Sequence, residues 1–422
     1  MIKEIKNDLL GEKYYEIEHR SGLKILVMPK EQFKTSYALF GTRFGSADIR
    51  FSLDGREIKL PDGTAHFLEH KLFESEEKDA FELFAKTGAR ANAYTSFDRT
   101  AYLFSCSENF YENLKTLLNF VQEPYFTEKT IQKEQGIISQ EIKMYRDNPD
   151  WQSMIELLKA LYKNCAVNTD IAGSVESIAK ITPDDLYSSY EAFYRPDNML
   201  LCICGNVEVK KIEKICDECI KECSPKKAVL INAEEPEEIV KARTVKRMPV
   251  VMPIFSFGYK ESFYKARTVR ERLETIILNQ ILIGNMSLLY QSLLEEGRIN
   301  EDFSSEYFTS RFNAAVIFSG TGENGELIKE RFEAEVQRVK KEGIDKELFD
   351  CVKRDIYGTI IKSANSSEDM ATDLLECYLN GYKYFDEFET IGSITVQSLQ
   401  KRLESKYDVN KSAISLILPS EK

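Results

Sequence analysis

Histidine is scarce in this chain, three residues in 422, and two of them stand four apart in the stretch HFLEH, residues 66 to 70. At 100° per residue on an α-helix, His66, Glu69 and His70 project from a single face. Two neutral imidazoles one turn apart can both reach a zinc ion at about 2 Å, with the carboxylate beside an open coordination position. The order H-x-x-E-H is a known zinc signature. An isolated histidine pair on a helix is more often a packed or solvated pair. Here only His19 lies elsewhere, beside a Ser21-Gly22 turn where a structural role is expected.

A zinc site on that helix needs a third protein ligand. The stretch KEQGIISQEIKMY offers Glu134 and Glu141, seven apart and therefore on one helical face, with Ile137 and Ile138 expected to turn that face inward. Spacing alone does not choose between the two carboxylates.

The elements that would hold these residues can be read from periodicity. YYEIEHRSGLKILVMP reads as a hairpin about Ser21-Gly22, and FSLDGREIKL as a second about Asp54-Gly55. The period then becomes helical at PDGTAHFLEHKLFE, with Asp62 or Thr64 as the expected cap. ARANAYTSF and TAYLFSC form a strand pair joined at Asp98-Arg99, followed by helices through NFYENLKTLLNFVQ and residues 127 to 145. ESIAKITPDDLYSSYEAFYRPDN at residue 176 aligns without gaps on ETIGSITVQSLQKRLESKYDVNK at residue 389, and each copy runs into an apolar strand. A repeat of this length signifies duplication. The expected organisation is α+β, with two homologous halves, 1–223 and 248–422, and a charged linker at 224–247.

On these residues the sequence resembles the pitrilysin or insulinase-type zinc metallopeptidases, in the short two-domain branch related to mitochondrial processing peptidase. The resemblance runs along nearly the whole chain through GTAHFLEHKLFE, GARANAYTSFDRTAYLFSC, the E-x6-E pair and FYRPDNMLLCICGNV, in that order. It implies two α/β-sandwich halves, each an antiparallel sheet flanked by helices, forming a clamshell-like half chamber. It implies one Zn2+ per chain held by His66, His70 and Glu141, with Glu69 as general base and Glu134 as a supporting acid. It also implies that Asn92 and Ala93 lie on an edge strand to which a peptide substrate adds as a further strand. The implied activity is that of a zinc metalloendopeptidase acting on flexible peptides. A non-catalytic assembly or peptide-binding protein on the same fold is the alternative.

The second half departs from that pattern. Aligning GNMSLLYQSLLEEG on GTAHFLEHKLFE puts Ser287, Tyr290 and Gln291 where the first half has His66, Glu69 and His70, so this copy lacks the zinc set. Active relatives carry a carbonyl-binding Arg and, seven residues on, a Tyr in this half. Leu294 and Glu301 occupy those places, with Arg298 and Tyr307 nearby but nine apart. The resemblance therefore implies a heterodimer with a homologous chain that lacks the zinc motif but supplies the donors, in preference to a homodimer.

Composition limits the other possibilities. A formal net charge of −12 argues against nucleic acid as a partner, since phosphate backbones require a basic surface. No segment approaches the roughly 18 apolar residues of a membrane span, and the charged N-terminal stretch has no apolar signal core. With nine cysteines, an odd number, the expectation is a reduced, cytoplasmic protein. Cys216, Cys219 and Cys223 in CDECIKEC read as an apolar helical stripe, and GTGENG as a turn before a helix.

Overall fold

The computed structural model describes residues 2–8, 10–74, 76, 79–222, 228–261, 268–311 and 313–421. Fifteen strands are present among them. Seven form a mixed sheet in the first unit: β1 (Ile2–Asn7), β2 (Glu12–Glu18), β3 (Lys24–Pro29), β4 (Ser36–Thr42), β7 (Arg90–Thr95), β8 (Thr100–Cys106) and β9 (Met199–Gly205), in the order β1-β2-β3-β9-β4-β8-β7. The β3–β9 pair is parallel and every other pair antiparallel. A small sheet pairs β5 (Arg50–Leu53) with β6 (Arg56–Lys59) and β10 (Val229–Leu230). In the second unit β11 (Arg243–Met248), β12 (Ile254–Lys260), β13 (Ser304–Thr309), β14 (Ala314–Thr321) and β15 (Ser412–Pro419) follow the order β11-β15-β12-β14-β13. Both expected hairpin turns and the strand pair 90–106 are present, with Asp54 and Gly55 in the left-handed region as a two-residue hairpin requires.

β4 and β9 are buried along their whole length, so both sheet faces must be covered. On one face Ala38, Phe40, Tyr102, Phe104, Leu201 and Ile203 pack with Phe67, Leu68, Leu114 and Leu118 from the helices that follow the strands. The other face is covered by a helix from far along the chain, Ser367–Leu379. Gly41 of β4 makes this approach possible, because a Cβ there would stand 2.9 Å from Leu375 Cδ1. The second unit repeats the device with the helix Pro149–Leu161, whose Leu157 Cδ2 would lie 3.3 Å from a Cβ at Gly258 of β12.

The two compact units are therefore not contiguous in sequence. Residues 362–384 belong with 1–142 and 170–232, and residues 143–169 belong with 233–361 and 385–422. Relative to the expected halves, each gives one helix to the other's unit. The expected repeat is visible in the elements: the helix Pro183–Phe193 leads through a 3-10 turn into β9, and Val396–Glu404 leads through another into β15.

The stretch 224–247 is not a free tether. β10 and the start of β11 lie within it, and between them Glu235 is buried in the second unit. Its carboxylate accepts the backbone N–H groups of Lys163, Asn164 and Cys165 at 3.0, 2.7 and 2.8 Å, and Lys260 Nζ donates to it at 2.6 Å. Residues 223–227, including Cys223, lie outside the described residues. Cys216 is buried and Cys219 half-buried on the helix Val209–Cys219, as expected of an apolar stripe. Gly320–Asn324 runs into the helix Gly325–Glu342, which Asn324 caps. His19 is buried against Ser21 and Asp217. Among the described residues, no single helix is long and apolar enough to cross a membrane.

Candidate metal centre

The HFLEH stretch forms the helix Thr64–Leu72, and all of its residues but His70 are buried. Its N-terminus differs from expectation. Neither Asp62 nor Thr64 caps it; Gly63 is the N-cap, at φ 90°, and a Cβ there would meet the carbonyl oxygen of Ala172 at 2.4 Å. Close backbone approach thus decides that position, and the Thr64 hydroxyl instead donates to the Pro61 carbonyl at 2.7 Å.

The second helix, Glu128–Asp147, brings Glu134 and Glu141 to the same place. Glu141 Oε1 lies 3.6 Å from His66 Nε2, and Glu141 Oε2 lies 3.4 Å from His70 Nε2. One ligand atom from each of His66, His70 and Glu141 falls within 4.8 Å of the others. Glu134 is placed differently: its Oε1 meets the other nitrogen of the His70 ring, Nδ1, at 3.0 Å. The structure thus separates two carboxylates that spacing left equivalent. One completes a triad and the other braces a member of it. Ile138 is buried as expected, but Ile137 is exposed and lines the cavity beside the site.

This donor set fits zinc. Tetrahedral ligands about 2.0–2.1 Å from a metal stand roughly 3.3 Å from one another, close to the two nitrogen–oxygen separations here. A histidine ligand normally donates its remaining N–H to a carboxylate or carbonyl, as His70 does to Glu134. The local field also calls for positive charge. Burial acts to lower the His70 pKa, but hydrogen bonds to Glu134 and Glu141 and the charges of Glu69 and Glu141 outweigh it and raise the pKa to about 10. Glu141 is held well below the usual carboxylate range by its hydrogen bonds to His66 and His70, against the effect of burial.

Glu69 lies on the same helix face, buried, with Thr95 Oγ1 donating to its Oε2 at 2.6 Å. Thr95 was not legible in the sequence as a site residue; it ends β7, the strand that carries Asn92 and Ala93. β7 is the edge of its sheet. The Ser96 N–H donates to the Arg99 carbonyl at 2.8 Å across the hairpin, and antiparallel alternation then directs the backbone groups of Ala93 away from β8, toward the open edge. A cavity of about 630 Å³ joins these parts, lined by Glu69, His70, Asn92, Ala93, Glu134 and Ile137 among others.

Comparison with known proteins fixes the family. The family model described as Insulinase (Peptidase family M16) matches residues 56–174, and that described as Peptidase M16 inactive domain matches residues 180–355. The uncharacterized zinc protease YmfH of Bacillus subtilis is 38% identical to this chain, over 99% of it and 100% of the relative. The chain belongs to peptidase family M16. A crystal structure described as that of an M16-like peptidase from Alicyclobacillus acidocaldarius, 33% identical, superposes with a TM-score of 0.94 over 99% of this chain and 100% of that one. A Helicobacter pylori protease at 18% identity shares the M16 fold, with a TM-score of 0.84 over 97% and 100% of the two chains. The triad and Glu69 lie inside the segment matched to the insulinase model, and Ser287, Tyr290 and Gln291 inside the segment matched to the inactive-domain model. In the second unit Ser287 caps the helix Leu288–Glu295, its hydroxyl oxygen accepting the Tyr290 N–H at 3.1 Å.

Proposed function

We propose that this M16 chain is a zinc metalloendopeptidase that hydrolyses flexible peptides, and that it works as the zinc-bearing subunit of a two-chain enzyme. The observation that carries the reading is the convergence of His66, His70 and Glu141 beside Glu69, opening on a cavity that reaches a free edge strand. His66, His70 and Glu141 would hold the zinc, which would supply Lewis acidity toward the scissile carbonyl and the attacking water. Glu69, oriented by Thr95, takes a proton from the attacking water and passes it to the leaving amine. Glu134 holds the His70 ring and its tautomer by accepting from Nδ1. The peptide lies extended along β7, pairing its backbone with that of Ala93, so that recognition falls on main-chain groups and sequence preference is loose.

The two-chain reading is supported by the second unit taken by itself. Leu294 and Glu301 stand where active relatives carry their donors. The Tyr307 hydroxyl donates to Glu261 at 2.9 Å, and Arg298 Nε lies 3.9 Å from Glu296. Free thiols at all eight described cysteines support a reducing, cytoplasmic setting.

The test separates metal from chemistry. His66→Ala and Glu141→Gln should deplete zinc, whereas Glu69→Gln should keep about one zinc per chain and lose hydrolysis of an unstructured peptide by roughly a hundredfold or more. Zinc at the wild-type level in His66→Ala protein would refute the site assignment.

A further inference from the structure

Among the described residues, Glu69 has one hydrogen bond from a neighbouring side chain, that from Thr95, so the place of Thr95 sets the direction of the carboxylate. Thr95 is the last residue of β7, and the hairpin turn that follows it is built tightly on one side. Ser96 and Phe97 accept the backbone N–H groups of Ser46 and Ala47 at 3.0 and 2.9 Å. Thr100, across from Thr95, donates to the Phe44 carbonyl at 2.9 Å. The turn ends in Arg99, whose guanidinium points to the other sheet face.

There Arg99 Nη1 donates to Asp98 at 3.0 Å, and Nη2 donates to Glu376, 277 residues further along the chain on the helix Ser367–Leu379. The Arg99 side chain is only 17% exposed, so this charge is largely desolvated and depends on its carboxylate partners. The same helix is held at its C-terminal end by Arg43 of the Thr42–Phe44 segment, which donates to the carbonyls of Leu379 and Tyr378 at 3.2 and 3.4 Å. A helix drawn from the half without a zinc motif thus meets the hairpin turn through Arg99 and the segment after β4 through Arg43.

We propose that Glu376, acting through Arg99, is a positioning residue for Glu69: the ion pair holds the Ser96–Arg99 turn, and the turn holds Thr95 against the general base. This inference rests on the peptidase reading for its catalytic consequence but not for its structural one. A displacement of about 1 Å in a catalytic group can cost roughly a hundredfold in rate, so a looser turn should act mainly on kcat.

The experiment is a double-mutant cycle with Glu376→Gln, which keeps the shape of the side chain, and Thr95→Val. Measured on zinc-loaded protein with an unstructured peptide, Glu376→Gln should lower kcat about tenfold with KM and zinc content within twofold of wild type. Because the effect passes through Thr95, the double variant should be no slower than Thr95→Val alone. Multiplying losses would overturn the proposal, since a merely structural role gives independent effects. Amide exchange on the metal-free protein supplies a second arm: the Ser96 amide should exchange about tenfold faster in Glu376→Gln, while amides of the Thr64–Leu72 helix are unchanged. Wild-type protection at Ser96 would refute the brace whatever the activity. Zinc-loaded wild-type protein that cleaves no peptide even with a homologous donor-bearing chain added, with the exchange difference present, would sink the peptidase reading and leave the brace standing.

Discussion

Glu134→Gln should weaken zinc binding without abolishing it, and the structure sets the scale. Glu134 accepts from His70 Nδ1 at 3.0 Å, is itself buried, and lies outside the triad of ligand atoms. A charge-assisted hydrogen bond of this kind is worth about 1.5–3 kcal/mol, against about 1 kcal/mol for the neutral bond that a glutamine could still form. The difference of roughly 0.5–2 kcal/mol corresponds to a loss of about 2- to 30-fold in affinity, reaching into the lower part of the range seen when metal-supporting partners are removed. Glu141→Gln removes a charged ligand and should cost far more, on the order of a thousandfold. Competition against a chromophoric chelator at constant pH and salt measures both in one titration format. Equal losses for the two variants, or a greater loss for Glu134→Gln, would refute the division of roles between them.

The substrate reading predicts that unfolded polypeptides are cut and that the core of a stable folded domain is not; mass spectrometry of digests of one protein, native and destabilised, decides this. The two-chain reading predicts that adding a homologous chain carrying the missing donors raises kcat about a hundredfold, as expected for roughly 3 kcal/mol of oxyanion stabilisation; full activity of the lone chain would refute it. Glu235→Gln leaves Lys260 buried without its counter-charge and should cost about 3–5 kcal/mol, read by thermal denaturation. Burial works to raise the Glu235 pKa, but Lys260 and three backbone N–H groups bring it below its ordinary value. The stabilisation is therefore present above the usual carboxylate pKa and lost as pH falls through the lowered one, and Glu235→Gln should flatten that acid limb. Leu375→Ala opens a void against Gly41 and should cost about 2–5 kcal/mol in the same assay.

The parts of the site set by local periodicity were legible in the sequence. His66, Glu69 and His70 share a face because 3.6 residues make a turn, and Glu134 and Glu141 share one for the same reason. Their division of labour was not legible, because it depends on which imidazole nitrogen each carboxylate meets across two helices. Thr95 escaped notice because nothing in YTSFDRT marks one hydroxyl among several as facing a helix distant in sequence. The cap of the motif helix differs from expectation for a related reason: Asp62 and Thr64 have capping chemistry, but Gly63 has the backbone freedom and the missing Cβ that Ala172 requires. The repeat at an offset of 213 showed the duplication but not the exchange of helices, since an alignment pairs equivalent residues and is silent on which sheet each helix covers.

That exchange has a consequence for how the protein is made. The sheet of the first unit has all its strands once Gly205 is synthesised, but the helix that covers β4 and β9 ends at Leu379, 174 residues later. At about 5–20 residues per second, the interval is on the order of ten to thirty seconds. Throughout it an apolar sheet face bearing Leu39, Gly41 and Cys202 stays uncovered on the nascent chain, and the brace proposed for Glu376 on the hairpin that carries Thr95 does not yet exist. The candidate metal ligands are thus translated early and the hairpin beside them is secured late, so a chain truncated between Gly205 and the Ser367–Leu379 helix would carry all three and still lack a finished first unit.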